Sequence, residues 1–460
     1  MKTYYLHILR FLTRLWKFSL LIAVCITLPS LATAQSLLRD TEIEQTLRAY
    51  TNPILRAANL NTSSVDMYLV NDKTLNAFVT RGQNIFIHTG LILEAENPNQ
   101  LKGVIAHESG HIAAGHLVRR DRSNRSAYGS MLIAAGIGIA AILAGEGQAG
   151  ASILAGSQQF GVLDALAHSR INEASADQAA AKYMEKTGQS GRGLLEFFEK
   201  FRYQEVLSNA RRYPYFRGHP LSSDRIDKLR EITGESIYKN VKDTDEELHQ
   251  MVMMKAKLTG FLDAPQTVFS KYPKTDTSKP ARYARAIAHY RAADLKNAIT
   301  SIDSLIKDEP NNPYFHELKG QIYYESGKGE LAIAPFQEAV RLMPSAPLLE
   351  IALAQVLIER GSPELNEKAI AHLKSALRKE GTNGFAWYQL SQAYDRKNEP
   401  ALARYAIAEQ AFAMGDYYRA KSFALRAQSG LVAYRAQKRR ASDIIVIAEI
   451  QLAKQKNRRR

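Results

Sequence analysis

Ala106-His107-Glu108-Ser109-Gly110-His111 is the stretch on which the reading of this chain turns. Asn97-Pro98-Asn99 punctuates the chain ahead of it, and apolar residues at Leu101, Val104 and Ile105 predict a helix running through it. Residues four apart on a helix project from one face, so His107 and His111 point the same way. Two imidazoles so placed can ligate one Zn²⁺ at about 2.0–2.1 Å. Glu108 is angled toward the same place without being a ligand. Zinc lowers the pKa of a bound water toward about 7, and a neighbouring carboxylate can then take its proton at neutral pH. Gly110 allows a neighbouring element to come close to the helix.

Two histidines leave zinc underfilled, and Asn172-Glu173-Ala174-Ser175-Ala176-Asp177 offers a third ligand on a second, alanine-rich helix. Glu173 is the expected ligand. Asp177, one turn later on the same face, is placed to accept a hydrogen bond from a ligating histidine and fix its tautomer. His116 is read as structural, because a five-residue step from His111 along one helix turns it partly away from the metal face.

Between the N-terminus and the motif, Leu37 to Ala58 has helical apolar spacing, while Val65–Val70, Asn76–Thr80 and Asn84–His88 read as strands. Arg81-Gly82-Gln83 makes the turn between the last two, and helix resumes at Gly90. Beyond the motif, residues 126–166 are rich in Ala, Gly, Ile and Leu. They read as a pair of helices packed over the site and able to touch membrane, or equally as plain buried core helices.

The first 34 residues have another character. Lys2, Arg10, Arg14 and Lys17 form an acid-free basic region, Phe18 to Leu28 is apolar, and Ala32-Thr33-Ala34 offers a cleavage site. The apolar run falls short of the roughly 20 residues that span a bilayer, so a cleaved signal peptide is expected, with a mature start near Gln35. The sole cysteine, Cys25, lies inside it, which removes disulfides and thiolate zinc sites from the mature chain and suits a bacterial periplasm. The formal charge is +15, but the signal segment and the tail from Leu431 to Arg460 hold most of it. That distribution argues against nucleic acid as a partner. The tail reads as a solvated basic end or as a contact for anionic lipid or an acidic partner.

From about residue 280 a repeat appears. Pro310 and Pro344 lie 34 residues apart, the tetratricopeptide period. Gly320, Tyr323, Gly327, Ala332, Phe336, Ala339 and Leu342 fill the register between them. Weaker units precede and follow, the last beginning at Gly415-Asp416-Tyr417. The expected fold class is α+β: a mainly helical zincin-like domain with a small sheet, then an α-solenoid. The expected divisions are 1–34 signal peptide, 35–265 peptidase domain, 275–430 repeats and 431–460 basic C-terminal helix or tail.

The run Asn76-Ala77-Phe78, the Gly90-Leu91 helix start, His107-Glu108-xx-His111 and Glu173-xx-Ala176-Asp177 resemble the M48 family of zinc metallopeptidases, over about residues 40–430. With the signal segment and repeats, the resemblance narrows to an exported bacterial subgroup. It implies one zinc per chain on His107, His111 and Glu173, with Glu108 as general base. It also points to His219-Pro220 followed by Arg225. His219 would either occupy the open zinc position at rest or hydrogen-bond the oxyanion; Arg225 would orient Asp177 or the oxyanion, or form a surface ion pair. Substrate is expected to add as a strand beside Asn84–His88. The implied activity is a periplasmic endopeptidase acting on misassembled or stalled exported proteins, including outer-membrane β-barrel precursors and their assembly machinery, with the repeats docking partners. Competing readings are an assembly chaperone in which proteolysis is secondary, and a membrane-embedded prenyl-protein peptidase favoured by the Ala/Gly-rich segment alone.

Overall fold

A computed structural model describes residues 37–80, 83–116, 170–202 and 214–458. The expected signal peptide and the Ala/Gly-rich segment 126–166 lie outside the described residues. Among the described residues no helix is long and apolar enough to cross a membrane.

The first element among the described residues is a two-residue strand β1 (Leu37–Leu38), followed by helix α1 (Thr41–Ala57). The expected helix from Leu37 is therefore shorter by one turn. Asp40 is its N-cap and accepts from the Ile43 N–H, and Leu37 and Leu38 pair instead with the sheet. Strands β2 (Asp66–Val70), β3 (Ala77–Thr80) and β4 (Asn84–His88) follow. The order across the sheet is β1-β2-β4-β3, with β2 and β4 parallel and the outer pairs antiparallel.

This order corrects the expected place of substrate addition. Asn84–His88 is β4, and both its edges are already paired, to β2 on one side and β3 on the other. A further strand has no backbone groups to meet there. Among the described residues the outer strands are the two-residue β1 and β3, and β3 is the one that packs on the motif helix, which makes its outer side the edge nearest the site.

Helix α2 (Thr89–Glu94) leads into α3 (Pro98–Ala113), which carries the histidine motif. Asn97 caps α3 by accepting from the Gln100 N–H, and Pro98 occupies its first turn. Every residue of α3 from Gln100 to His111 is buried, so the helix runs through the middle of the domain. It packs on β3, α1 and α5 (Arg192–Phe201). A further helix, α4, covers residues 170–186. Gly110 faces it directly: a Cβ there would lie 3.1 Å from the Ala176 carbonyl oxygen and 3.2 Å from its Cα. The missing side chain is what brings Glu173 and Asp177 up to the motif helix. Short helix α6 (Pro214–Gly218) and α7 (Ser223–Glu235) complete the surround. Beneath them Phe197, Phe198, Phe201, Tyr215 and Phe216 join the buried core.

Helices α8 (Asp245–Leu262) and α9 (Pro265–Lys271) lead to ten consecutive helices forming five hairpins. They are α10 (Lys279–Arg291) with α11 (Leu295–Asp308), α12 (Pro313–Glu325) with α13 (Gly329–Leu342), and α14 (Pro347–Arg360) with α15 (Pro363–Lys379). Then follow α16 (Gly384–Arg396) with α17 (Pro400–Ala413), and α18 (Tyr417–Gln428) with α19 (Arg435–Arg458). Gly320 shows why the register residues are small: a Cβ there would lie 2.8 Å from the Phe336 ring. The basic C-terminal segment is the second arm of the last hairpin, held by Gln428 donating to Ser442 at 2.9 Å and by the Lys421–Glu449 ion pair.

The first hairpins pack back on the peptidase part. Lys257 of α8 is buried and lies 2.8 Å from Asp40, 3.3 Å from Glu42 and 3.8 Å from Glu317 of α12. Tyr283 of α10 donates to Glu42 at 2.9 Å, and Thr41 donates to Glu317 at 3.0 Å.

Candidate metal centre

Three stretches far apart in sequence meet at the end of α3. His107 Nε2 and His111 Nε2 lie 3.1 Å apart. Glu173 Oε2 is 3.3 Å from the first, and Glu173 Oε1 is 3.5 Å from the second. His219, just after α6, brings Nδ1 to 3.2 Å from His107 Nε2 and 3.0 Å from Glu173 Oε2. All four ligand atoms fall within 4.8 Å of one another, and all four residues are buried.

These spacings test whether a metal fits. Atoms about 2.0–2.1 Å from a tetrahedral centre stand about 3.3 Å apart. The observed separations cluster around that value. The Nε2 atoms of His107 and His111 face each other with a carboxylate oxygen and a third imidazole nitrogen close by, and one shared cation would satisfy all of them. Two His, one carboxylate and a further His form a donor set suited to zinc.

Behind the cluster stands a second rank. His107 Nδ1 lies 2.9 Å from Asp177 Oδ1, which leaves Nε2 to face the cluster. Arg225 grips Asp177 with both ends of its guanidinium, Nε at 2.7 Å and Nη2 at 2.9 Å. Its Nη1 donates to the Pro220 carbonyl at 2.6 Å, so one arginine ties the His219-Pro220 turn to Asp177. Arg225 is buried, so the surface ion pair kept open above is not what forms. Burial opposes the charge on Asp177, yet the bonds from Arg225 and His107 hold its carboxyl below the ordinary range. Burial likewise opposes protonation of His107, but Asp177 and Glu173 outweigh it and raise its pKa to about 9. At His111 burial and the charge on His107 outweigh Glu173 and lower the pKa to about 2.

Glu108 is fully buried, and neither carboxylate oxygen has a hydrogen-bond partner among the described residues. Burial raises its pKa, while His219 and His107 pull it back. The His219 Nε2 lies 3.4 Å from Glu108 Oε1. An orphaned buried carboxylate is costly and calls for a partner that arrives with the chemistry.

Two neighbours were not legible as parts of this arrangement. His116 is not on the motif helix. That helix ends at Ala113, and Gly115 with φ +64° turns the chain back, so that His116 Nδ1 reaches 2.9 Å from His111 Nδ1. A glycine just past a helix is a usual left-handed stop, and it was the available signal. Tyr215 stacks its ring on His219, centroids 4.6 Å apart at 27°. Its position four residues before His219 was the only hint.

An HExxH-type helix with a carboxylate from a second helix, an ion-paired carboxylate behind the first histidine and a small sheet alongside defines the metallopeptidase class. Residues 39–233 match the model of peptidase family M48, and residues 283–347 match a tetratricopeptide repeat. The chain thus carries an M48 metallopeptidase domain followed by tetratricopeptide repeats. It is 23% identical over 369 residues to the beta-barrel assembly-enhancing protease of Yersinia pestis, covering 78% of this chain and 73% of that one. To the protein of the same name from Escherichia coli (strain K12) it is 24% identical over 364 residues, with 78% and 73% covered. Metalloprotease YcaL of the same bacterium is 28% identical over 173 residues, covering 38% of this chain and 64% of YcaL.

Proposed function

We propose that this chain is a periplasmic zinc endopeptidase that cleaves misassembled or stalled exported polypeptides in the quality control of outer-membrane β-barrel assembly. The name shared by the relatives that span both regions supports the biological setting. The observation that carries the chemistry is the convergence of His107, His111 and Glu173 at tetrahedral spacing beside a buried Glu108 whose oxygens have no hydrogen-bond partner among the described residues. In this reading residues 1–34 direct export, 35–265 form the peptidase unit, 275–430 dock substrates or partners, and 431–460 close the solenoid as a basic helix.

One zinc would be held by His107, His111 and Glu173, with His219 in the remaining position at rest. When bound, it polarises the scissile carbonyl and the attacking water. Glu108 accepts the proton of that water on its carboxylate and returns it to the leaving amide nitrogen. Asp177 keeps His107 in the tautomer that directs Nε2 to the metal, and Arg225 keeps Asp177 charged and in place. His219 must leave the site to admit substrate, or turn to donate to the oxyanion. Substrate adds to the free edge of β3, main chain to main chain, which makes extended, unfolded chains the preferred class.

Metal analysis of the purified protein, with casein cleavage measured with and without a chelator, tests this reading. One equivalent of zinc and chelator-sensitive cleavage are expected; protein without bound metal would sink it. In cells, full outer-membrane assembly supported by the Glu108→Gln protein would instead favour a scaffold role over proteolysis.

A further inference from the structure

The segment that carries His219 also touches the substrate edge, and the two contacts are four residues apart. β3 pairs with β4 in the register Ala77↔Ile87, Phe78↔Phe86 and Val79↔Ile85. The His88 N–H donates to the Asn76 carbonyl at 3.0 Å, which fixes the side each residue faces. In an antiparallel ladder a residue turns its N–H and C=O to one side and its neighbour turns them to the other. Asn76 and Phe78 therefore face β4, while Leu75, Ala77 and Val79 present their backbone groups to the free edge.

On that edge the Leu75 carbonyl is already used. It accepts from the Tyr215 N–H at 3.3 Å. From Tyr215 the chain makes the single turn of α6, in which the His219 N–H donates to the Tyr215 carbonyl at 2.8 Å. The Tyr215 ring lies under the His219 ring, and His219 Nδ1 stands among the metal-ligand atoms. One short helix thus covers the end of the substrate edge with its single turn, and the residue that follows it, His219, fills the metal cluster. The stacked rings and the bond to the Tyr215 carbonyl tie His219 to Tyr215, so displacement of Tyr215 unwinds this single turn.

We propose that Tyr215 is a positioning residue that reserves Leu75 on the substrate edge, so that a bound strand long enough to pair at Val79, Ala77 and Leu75 displaces Tyr215 and withdraws His219 from the metal cluster with it. The proposal rests on β3 being the substrate edge. A substrate N–H replaces the Tyr215 N–H on the same carbonyl, so the exchange conserves backbone hydrogen bonds. Resistance comes from unpacking Tyr215 and Phe216, which are 0% and 2% exposed. Peptides too short to reach Leu75 leave His219 in place, and the site selects for length rather than sequence.

Hydrogen–deuterium exchange on full-length, zinc-loaded Glu108→Gln protein, with casein as the uncleaved probe, tests this. Casein should slow exchange at the Ala77 and Val79 amides and speed it at the Tyr215 and His219 amides. Protection at Ala77 and Val79 with Tyr215 and His219 unchanged overturns the coupling but leaves the substrate edge intact. No protection at Ala77 and Val79 overturns both. A pair of variants isolates the N–H: Tyr215→Pro lacks it at a first-turn position that tolerates proline, and Tyr215→Ala keeps it. Casein should bind Tyr215→Pro about fivefold tighter than Tyr215→Ala, the effect of one backbone hydrogen bond. Equal binding to two folded variants would overturn the proposal; if Tyr215→Pro does not fold, the exchange measurement decides.

Discussion

Two buried charge clusters in this protein look alike in composition and differ in how well they are satisfied. At the metal centre, Glu108, Glu173 and Asp177 meet Arg225 and the histidines, and neither oxygen of Glu108 has a hydrogen-bond partner among the described residues, His219 Nε2 standing 3.4 Å from one of them. At the junction with the repeats, Asp40, Glu42 and Glu317 surround Lys257, with Tyr283 and Thr41 donating to the carboxylates. There, among the described residues, only Oε2 of Glu317 lacks a hydrogen bond, and it still lies 3.8 Å from the lysine. The junction is nearly self-sufficient, as a cluster that joins two parts of a molecule should be. The centre is not. Unsatisfied buried polar atoms are retained where something outside the chain completes them.

The largest effect that tests this contrast is at Glu108. Glu108→Gln should lower casein cleavage about 10³-fold, roughly 4 kcal/mol in the barrier, while unfolding in urea shows stability equal or higher. Retained cleavage, or a clear loss of stability, would place Glu108 with the structural charges instead. Next comes the rank behind it. Arg225→Leu leaves the Asp177 carboxylate buried without its guanidinium and should cost about 3 kcal/mol in urea unfolding. Asp177→Asn should weaken zinc binding about 10–100-fold in competition with a chelator, because His107 loses the acceptor that sets its tautomer. At the junction, Lys257→Met should cost about 2 kcal/mol and separate the unfolding of the repeats from that of the peptidase part. An unchanged single transition would show that Lys257 does not hold the two together.

The smallest effect is one of pH. Burial raises the pKa of Glu317, Lys257 pulls it down, and Asp40 and Glu42 push it up again, to about 7. A carboxyl raised in the docked state binds its proton more tightly there than when exposed. Its contribution to docking is therefore full below the ordinary carboxyl range and fades as pH rises through about 7. The difference in thermal midpoint between the wild type and Glu317→Gln should shift in favour of Glu317→Gln as pH goes from 5 to 8. A difference independent of pH would mean that Glu317 keeps an ordinary pKa at the junction.

Some of this was open to reading along the chain. The His107/His111 pair is set by helical geometry over four residues, and the carboxylate on an alanine-rich helix at Glu173 answers a coordination deficit that chemistry alone requires. Gly110 signalled a close approach, and Ala176 of α4 is what approaches. The repeat period announced stacked hairpins because each hairpin buries its apolar face only against the next. Local order misled in three places. Leu37 and Leu38 fit a helical pattern equally well but are drawn into the sheet. Asn84–His88 has the best strand pattern, and for that reason it sits in the middle with no edge to offer. His116 was counted along a helix that Gly115 had already ended.

Residue type and short-range spacing by themselves determined the chemistry this protein has at its disposal: two imidazoles on one face, a carboxylate beside them and a third ligand to be found. The first two follow from helix geometry within a few residues, and the third from the coordination number of zinc. Which carboxylate stays unpaired, which strand edge stays open and whether His219 stands in the metal cluster were decided only by the tertiary structure. Each depends on what arrives from more than forty residues away, such as Arg225 on Asp177 at a separation of 48 and Tyr215 on the edge at Leu75. Spacing along the chain carries no record of such meetings, because they are selected by the packing of whole helices.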